Sequence, residues 1–427
     1  MTTDSDLPLR RSSLAVSTWA LFVGLALVLC GVGLFGTVVG IRSELNGFSD
    51  VVIGLIGAAY YGGFLIGSTL TLGWLVTVGH IRVFAAMSSL LATVMIVAGL
   101  SATPVTWLIA RFLSGVLAAG LYVVAESWLN GLASNETRGR LLGIYLVVTG
   151  AAYGLGQVLA GYVRPATLTA FAVGAMLTGA AVAPVALSEA ATAPSVDDDE
   201  RVSLRALAQM VPTGVGTVLL VGLTHGAFVA LAVVYATRDG VSPAAAGWFA
   251  AVAGVGGVVF QWPLSAASDQ MDRRFVGTFI AVAAAAACLW LILGGPQGWS
   301  GRGAMFVIGG FSFPLYSIGA AYTNDWVEPH QQSAASSQVV LLYGVGALLG
   351  PPIASASMAV LGADGYPWAM LLMHLLIATF LVYRMLAWRA PIAKTTWADA
   401  SLSARVFFVP ANVVWAGRRM RAGRNRR

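Results

Sequence analysis

The sequence predicts an all-α polytopic membrane protein with twelve transmembrane helices, built as two parallel-repeat six-helix bundles. Three observations predict it. Hydrophobic residues make up 58% of the 427 and charged residues only 10%. A soluble chain of this size needs far more charge to cover its surface. The apolar residues come in runs of about 20, the length that crosses ~30 Å of hydrocarbon as helix. Lipid offers the backbone no partners, so such runs must bond within themselves as helices. Finally, features recur when the chain is shifted by 194 residues. Gly62-Gly63 falls on Gly256-Gly257, Leu121-Tyr122 on Leu315-Tyr316, Asn130 on Asn324, Gly150 on Gly344, and Leu155-Gly156 on Leu349-Gly350. A shared register over three pairs of spans indicates two like-oriented halves.

The spans fall near 19–41, 51–76, 83–102, 105–131, 141–163, 167–187, 211–236, 243–266, 275–294, 303–324, 334–361 and 367–388. Ser49-Asp50 and Ser242-Pro243 are helix-start signals ahead of the second and eighth. The first run is too long for a signal-peptide core and is read as a retained helix. With the N-terminus inside, cytoplasmic segments hold Arg10, Arg11, Arg82, Arg138, Arg140, Arg201, Arg205, Arg273, Arg274 and every basic residue from Arg384 on. External loops hold only Arg42, Arg164, Arg238 and Arg302. The positive-inside rule therefore puts both termini in the cytoplasm. The expected organisation is a cytoplasmic tail over 1–18, a bundle over 19–187, a cytoplasmic linker over 188–207, a second bundle over 208–388 and a basic cytoplasmic tail over 389–427. The linker contains the acidic run Asp197 to Glu200, read as a solvated segment. One lysine against 23 arginines, with abundant alanine, points to a GC-rich bacterial genome and hence to a bacterial cytoplasmic membrane.

The net charge of +6 lies mostly in loops and tail, where it sets topology, so it is not a nucleic-acid signal. Cys30 and Cys288 lie inside apolar runs and predict neither a disulfide framework nor a metal site. No nucleophile elbow, phosphate loop or paired-histidine motif is present, so neither an enzyme nor a cofactor is expected. The tail from Lys394 mixes Trp397, Phe407, Phe408 and Trp415 with arginines. It is read either as a segment lying on anionic inner-leaflet lipid or as a solvated basic tail.

The loop Ser265-Ala-Ala-Ser-Asp269-Gln-Met-Asp272-Arg273-Arg274 resembles the cytoplasmic loop signature of the major facilitator superfamily. There an acid caps a helix end and pairs with arginines, latching one conformation. The resemblance assigns that latch to Asp269, Asp272, Arg273 and Arg274. The corresponding first-half loop, from Gly73 to Arg82, is degenerate, with Thr77 in place of the acid. Arg111 followed by Gly115 is similar to the family's fourth-helix motif, and Gly346 to Gly350-Pro351 to a bending motif. Gln261-Trp-Pro263, Glu126-Ser-Trp128-Leu-Asn130 and Pro314-Leu-Tyr316 resemble the YcaD-like subgroup, which implies transport without implying a substrate.

Arg111 and Glu126 are the two deeply embedded charges, both on the fourth span. Charge in hydrocarbon costs at least ~2.5–3.5 kcal/mol, so it faces a partner or a wet cavity. Fifteen residues separate them, about 60° around the helix and ~22 Å along it. They share a face with Gly115, Ala118 and Tyr122. Arg111 is expected to bind an anionic group or assist proton coupling, or else to bond the carbonyls of the first span. Glu126 is expected to carry a proton as its access to water alternates, or else to pair with Arg82 or Arg140. His225, Tyr122, Tyr316, Tyr322, Asn324 and Gln157 complete the expected substrate and proton pathway, with packing as the alternative for each. Gly115, Gly150, Gly154, Gly156, Gly346, Gly350 and Pro351 are read as bending or packing positions. The expected function is proton-coupled secondary transport of a small molecule by alternating access in a monomer, with export favoured over uptake. A membrane receptor or assembly factor, or a lipid flippase, on the same scaffold is the alternative.

Overall fold

The computed structural model describes residues 7–132, 138–188, 203–328 and 331–387. Among them no strand forms. The helices are α1 (Leu7–Leu45), α2 (Asp50–Val78), α3 (His80–Leu100), α4 (Pro104–Leu132), α5 (Arg138–Ala160), α6 (Leu168–Ala180), α7 (Val182–Ala186), α8 (Leu204–Met210), α9 (Pro212–Arg238), α10 (Pro243–Gln270), α11 (Arg273–Gly294), α12 (Gly298–Ser312), α13 (Pro314–Asn324), α14 (Gln332–Leu361) and α15 (Gly365–Ala387). Helix α1 begins at Leu7, inside the stretch expected as tail, although its apolar portion starts only at Thr18. The basic tail, Asn130's side chain and the acidic run of the linker lie outside the described residues.

Eleven stretches are long and apolar enough to span a bilayer, and the last, Ala334–Ala387, runs to 54 residues. A straight helix of that length would measure about 80 Å, far beyond any membrane. The chain instead reverses at a 3₁₀ turn, Gly362–Asp364, and α15 packs back on α14. Gly362 makes the reversal with φ +68, a conformation side chains disfavour. The protein is thus a multi-pass membrane protein, with twelve crossings among the described residues. Two crossings are broken helices: α6 with α7, and α12 with α13, where Pro314 supplies no backbone N–H. Ser242 caps α10 as its sequence signalled, accepting from the Ala245 N–H at 3.4 Å.

Small residues bring these helices together, and the close contacts recur in both halves. A Cβ on Gly115 would lie 1.9 Å from the Tyr60 carbonyl, and one on Gly309 2.1 Å from the Ala253 carbonyl. Gly156 meets the Cys30 carbonyl as Gly350 meets that of Leu223. The shift is 194 for α4 onto α12 and for α5 onto α14, but 193 for α1 onto α9 and for α2 onto α10. The constant register read from sequence is therefore one residue too long for those two pairs. Gly63 is the counterpart of Gly256, since each seats against a carbonyl, of Phe112 and Phe306 respectively.

Helix α2 packs on α14 and α5 on α10, so these two pairs form the seam between halves. At one end Gly54 sits against Ser355 and Gly161 against Ala244, and the Trp248 indole donates to the Tyr162 hydroxyl at 3.3 Å. At that same end Arg238, closing α9, makes a bidentate pair with Glu44 of α1 at 2.6 and 3.0 Å and a second pair with Asp50 of α2. At the opposite end the described residues form ion pairs within the second half. Arg273 bridges Asp269 and Asp325, and Arg274 pairs with Asp272.

Candidate functional site

Helix α4 carries both embedded charges. Arg111 stands seven residues inside Pro104, ~10 Å along the axis. Its side chain is buried, 5% exposed. The guanidinium lies 4.4 Å over the Tyr60 ring centroid and 5.8 Å from that of Phe35. Aromatic faces are the negative poles of their quadrupoles, so they offset part of the desolvation of the cation. Tyr61 and Tyr153 lie within electrostatic reach. Among the described residues none of its N–H groups has a hydrogen-bond acceptor, so it does not bond the carbonyls of α1. The tight seat of Gly115 on α2 holds α4 where Arg111 can reach the Tyr60 ring.

Glu126 lies four turns further along. It is exposed six residues from the end of α4, and its Oε1 accepts from the Tyr145 hydroxyl of α5 at 3.0 Å. It lies within electrostatic reach of Tyr122 and, from the other half, Tyr316. The carboxyl is thus accessible to solvent yet surrounded by protein, within reach of the other half. Tyr122 is half-buried with its ring against Phe64. Within the other half Tyr316 meets Tyr343 edge-on, with centroids 5.0 Å apart.

His225 is at the middle of α9, buried and fully engaged. Nε2 lies 3.1 Å from the Ser312 carbonyl, and Nδ1 lies 3.2 Å from the Tyr343 hydroxyl. A carbonyl only accepts, so Nε2 carries a proton, and a neutral ring then accepts the Tyr343 hydroxyl proton at Nδ1. His374 is fixed in the same way, with Nδ1 donating to the Met370 carbonyl at 2.7 Å and Nε2 3.0 Å from Ser312 Oγ. This polar chain stitches α9, α12, α14 and α15 together beside the break at Pro314.

The remaining expected residues divide. Gln157 is buried in the seam, where its backbone carbonyl meets Gly247. Tyr322 is buried in a small apolar cluster near Trp326, against which Tyr316 and Tyr343 also pack, and the neighbouring Asn324 has a buried Oδ1 without a hydrogen bond among the described residues. Gly346 and Gly350 pack on α9, and Pro351 on Gly57 of α2. Gly150 and Gly154 face open space, so close packing along α5 belongs to Gly156 instead. Gly73 also faces open space, and Arg82 is exposed and makes no ion pair with a described residue. In the second-half loop Asp272 caps α11 by accepting from the Arg274 N–H at 2.9 Å. Arg274 also donates to the Arg384 carbonyl.

Sequence reasoning missed the tyrosines Tyr60, Tyr61, Tyr145, Tyr153 and Tyr343, the carboxylate Asp325, and the group Glu44, Asp50 and Arg238. The tyrosines did carry a signal. They lie inside spans, whereas membrane tyrosines concentrate at the interfaces. Among the described residues no three His, Cys, Asp or Glu side chains cluster as metal ligands.

Comparison with known proteins agrees with this architecture. The family model described as Major Facilitator Superfamily matches residues 21–313 and 213–420. The chain is 28% identical over 343 residues to the uncharacterized MFS-type transporter YcaD of Shigella flexneri serotype 5b (strain 8401), covering 79% of this chain and 88% of that protein. The crystal structure of the nucleoside transporter NupG aligns with a TM-score of 0.72 at 13% identity, over 88% of this chain and 99% of the other. A bacterial homolog to the human lysosomal transporter Spinster, inward-facing and occupied, aligns with a TM-score of 0.68 at 15% identity, over 90% and 99%. At such identities the structural likeness speaks for the fold alone, while the family match spans most of the chain. The protein is a member of the major facilitator superfamily.

Proposed function

We propose that the protein is a proton-coupled secondary transporter that exports a small molecule by alternating access. One observation carries this reading: the halves are tied by Arg238 at one end, while Glu126 stands exposed in the gap between them nearer the other end. The arginine distribution assigns the tied end to the outside and both termini to the cytoplasm of a bacterial cell. This conformation is then the inward-open one, and rocking about the midplane opens the Arg238 end. Asp269 and Arg273 hold the inner end of the second half, in keeping with a latch in that half, while the first-half loop lacks the acid.

Glu126 is the proton carrier in this reading. It meets water in the open gap, and closure between α4 and α13 withdraws it from water, which favours its neutral form. The Tyr145 hydroxyl orients it. The test is flux in proteoliposomes with an imposed pH gradient. Glu126→Gln is expected to abolish gradient-driven accumulation while leaving counterflow exchange intact. Accumulation that stays gradient-dependent in this variant would remove Glu126 from the coupling path. Ligand binding without flux would instead support a receptor, and leaflet-to-leaflet movement of labelled lipid a flippase.

A further inference from the structure

The transport reading leaves the cargo unspecified, and Arg111 narrows it. A guanidinium carries five N–H donors, and here none has an acceptor among the described residues, although the side chain is 95% buried by its 5% exposure. Two aromatic faces compensate the charge only in part. Beside it, the helix surface at Gly36 is bare. A Cβ built there would meet Arg111 Nη1 at 3.7 Å, the Tyr153 hydroxyl at 3.9 Å and Arg111 Nη2 at 4.0 Å, all ordinary contact distances. The same small volume is therefore faced by both terminal nitrogens of the guanidinium and by a phenol.

We propose that the space over Gly36 is an anion subsite that binds the carboxylate of a small aromatic acid, with Arg111 as its fork and Tyr153 as a third donor. This deepens the transport reading and rests on it, since the cargo enters from the same gap. The planar fork matches a carboxylate bidentately. A single cation favours a monoanion over a phosphate dianion. Phe35 and Tyr60 stack on the guanidinium and Tyr61 lies within its electrostatic reach, so the rest of the ligand would enter an aromatic neighbourhood. Export suits such a cargo, because an interior-negative membrane potential drives anions outward by about 2.3 kcal/mol per charge per 100 mV.

The test measures binding to purified full-length protein in detergent, so it does not depend on flux or on coupling. Indole-3-acetate and benzoate are titrated against indole-3-acetamide and benzamide, read by calorimetry and by thermal stabilisation. At least one acid is expected to bind tenfold or more tightly than its amide. Arg111→Lys keeps the charge and loses the fork, and is expected to weaken that acid about tenfold. Gly36→Ala replaces a helical glycine without a clash, so the unliganded protein is expected to melt no lower than wild type. Its methyl fills the anion's place, so acid binding is expected to fall tenfold or more. Amides that bind as tightly as their acids, no binding of either acid, or a Gly36→Ala variant that binds like wild type would each overturn the subsite. Binding without any transport would leave the subsite standing and sink the transport reading alone.

Discussion

The pairing of Arg238 with Glu44 and Asp50 makes the closure of that end, the outer one in the proposed orientation, measurable. All three side chains are about 20% exposed, so the pairs are largely shielded from solvent. A hydrogen bond to a charged group contributes roughly 1.5–3 kcal/mol. Arg238→Gln removes the bidentate pair and the Asp50 pair but regains water as the end opens. Allowing for that, the closed end loses about 3 kcal/mol. At 1.4 kcal/mol per tenfold, the balance between outer-closed and outer-open states moves about a hundredfold. Spin labels at Asn46→Cys and Trp299→Cys, both exposed at this end, report the outer separation. Cys30 and Cys288 are buried and compete little for label. The expected result is a population at longer distance in Arg238→Gln and a smaller one in Glu44→Gln, with the melting temperature recorded alongside. An unchanged distance distribution in a folded Arg238→Gln protein would refute the argument that these pairs hold the outer end shut.

Three further outcomes follow from the packing. Gly115→Ala places a methyl 1.9 Å from the Tyr60 carbonyl, so α4 must move off α2, and a loss of about 1–3 kcal/mol should appear as a lower melting temperature. Asp325 is 24% exposed and Asp269 67%, though both pair with Arg273, so Asp325→Asn should lower thermal stability more than Asp269→Asn, whose pair contributes less than about 1 kcal/mol. His225→Phe strands the Ser312 carbonyl and the Tyr343 hydroxyl, at about 1–3 kcal/mol for a buried group left unpaired. Its effect should be on the melting temperature, and a stable His225→Phe protein with an altered pH profile of transport would instead make His225 part of the proton path.

The spans were legible because bilayer thickness dictates their length and lipid forbids anything but helix. The halves were legible because the repeated glycines seat against carbonyls, with the register off by one for α1 and α2. Arg111 and Glu126 stood out as charges in apolar runs. The outer closure did not, since Glu44 and Arg238 are 194 residues apart and read singly as ordinary loop charges. Their near-coincidence with the repeat shift was available but unused: positions related by a pseudo-twofold touch each other only close to its axis. The tyrosines around Arg111 were hidden for a different reason. A phenol is apolar enough to leave a hydropathy pattern undisturbed, and only the folded chain shows which hydroxyls converge.

The rims of the two halves at the end opposite Arg238 are built unequally. In the second, Arg273 and Arg274 clasp the ends of α10, α11, α13 and α15 into one rigid collar. In the first, Gly73 and Arg82 make no such pair among the described residues, and the matching corner is held instead by His80, whose Nε2 lies 3.0 Å from Ser127 Oγ of α4. Under the proposed rocking motion, a corner held by one neutral hydrogen bond is expected to give before one held by ion pairs. On that reading the swing is lopsided, with the second half serving as the anvil against which the first half bends.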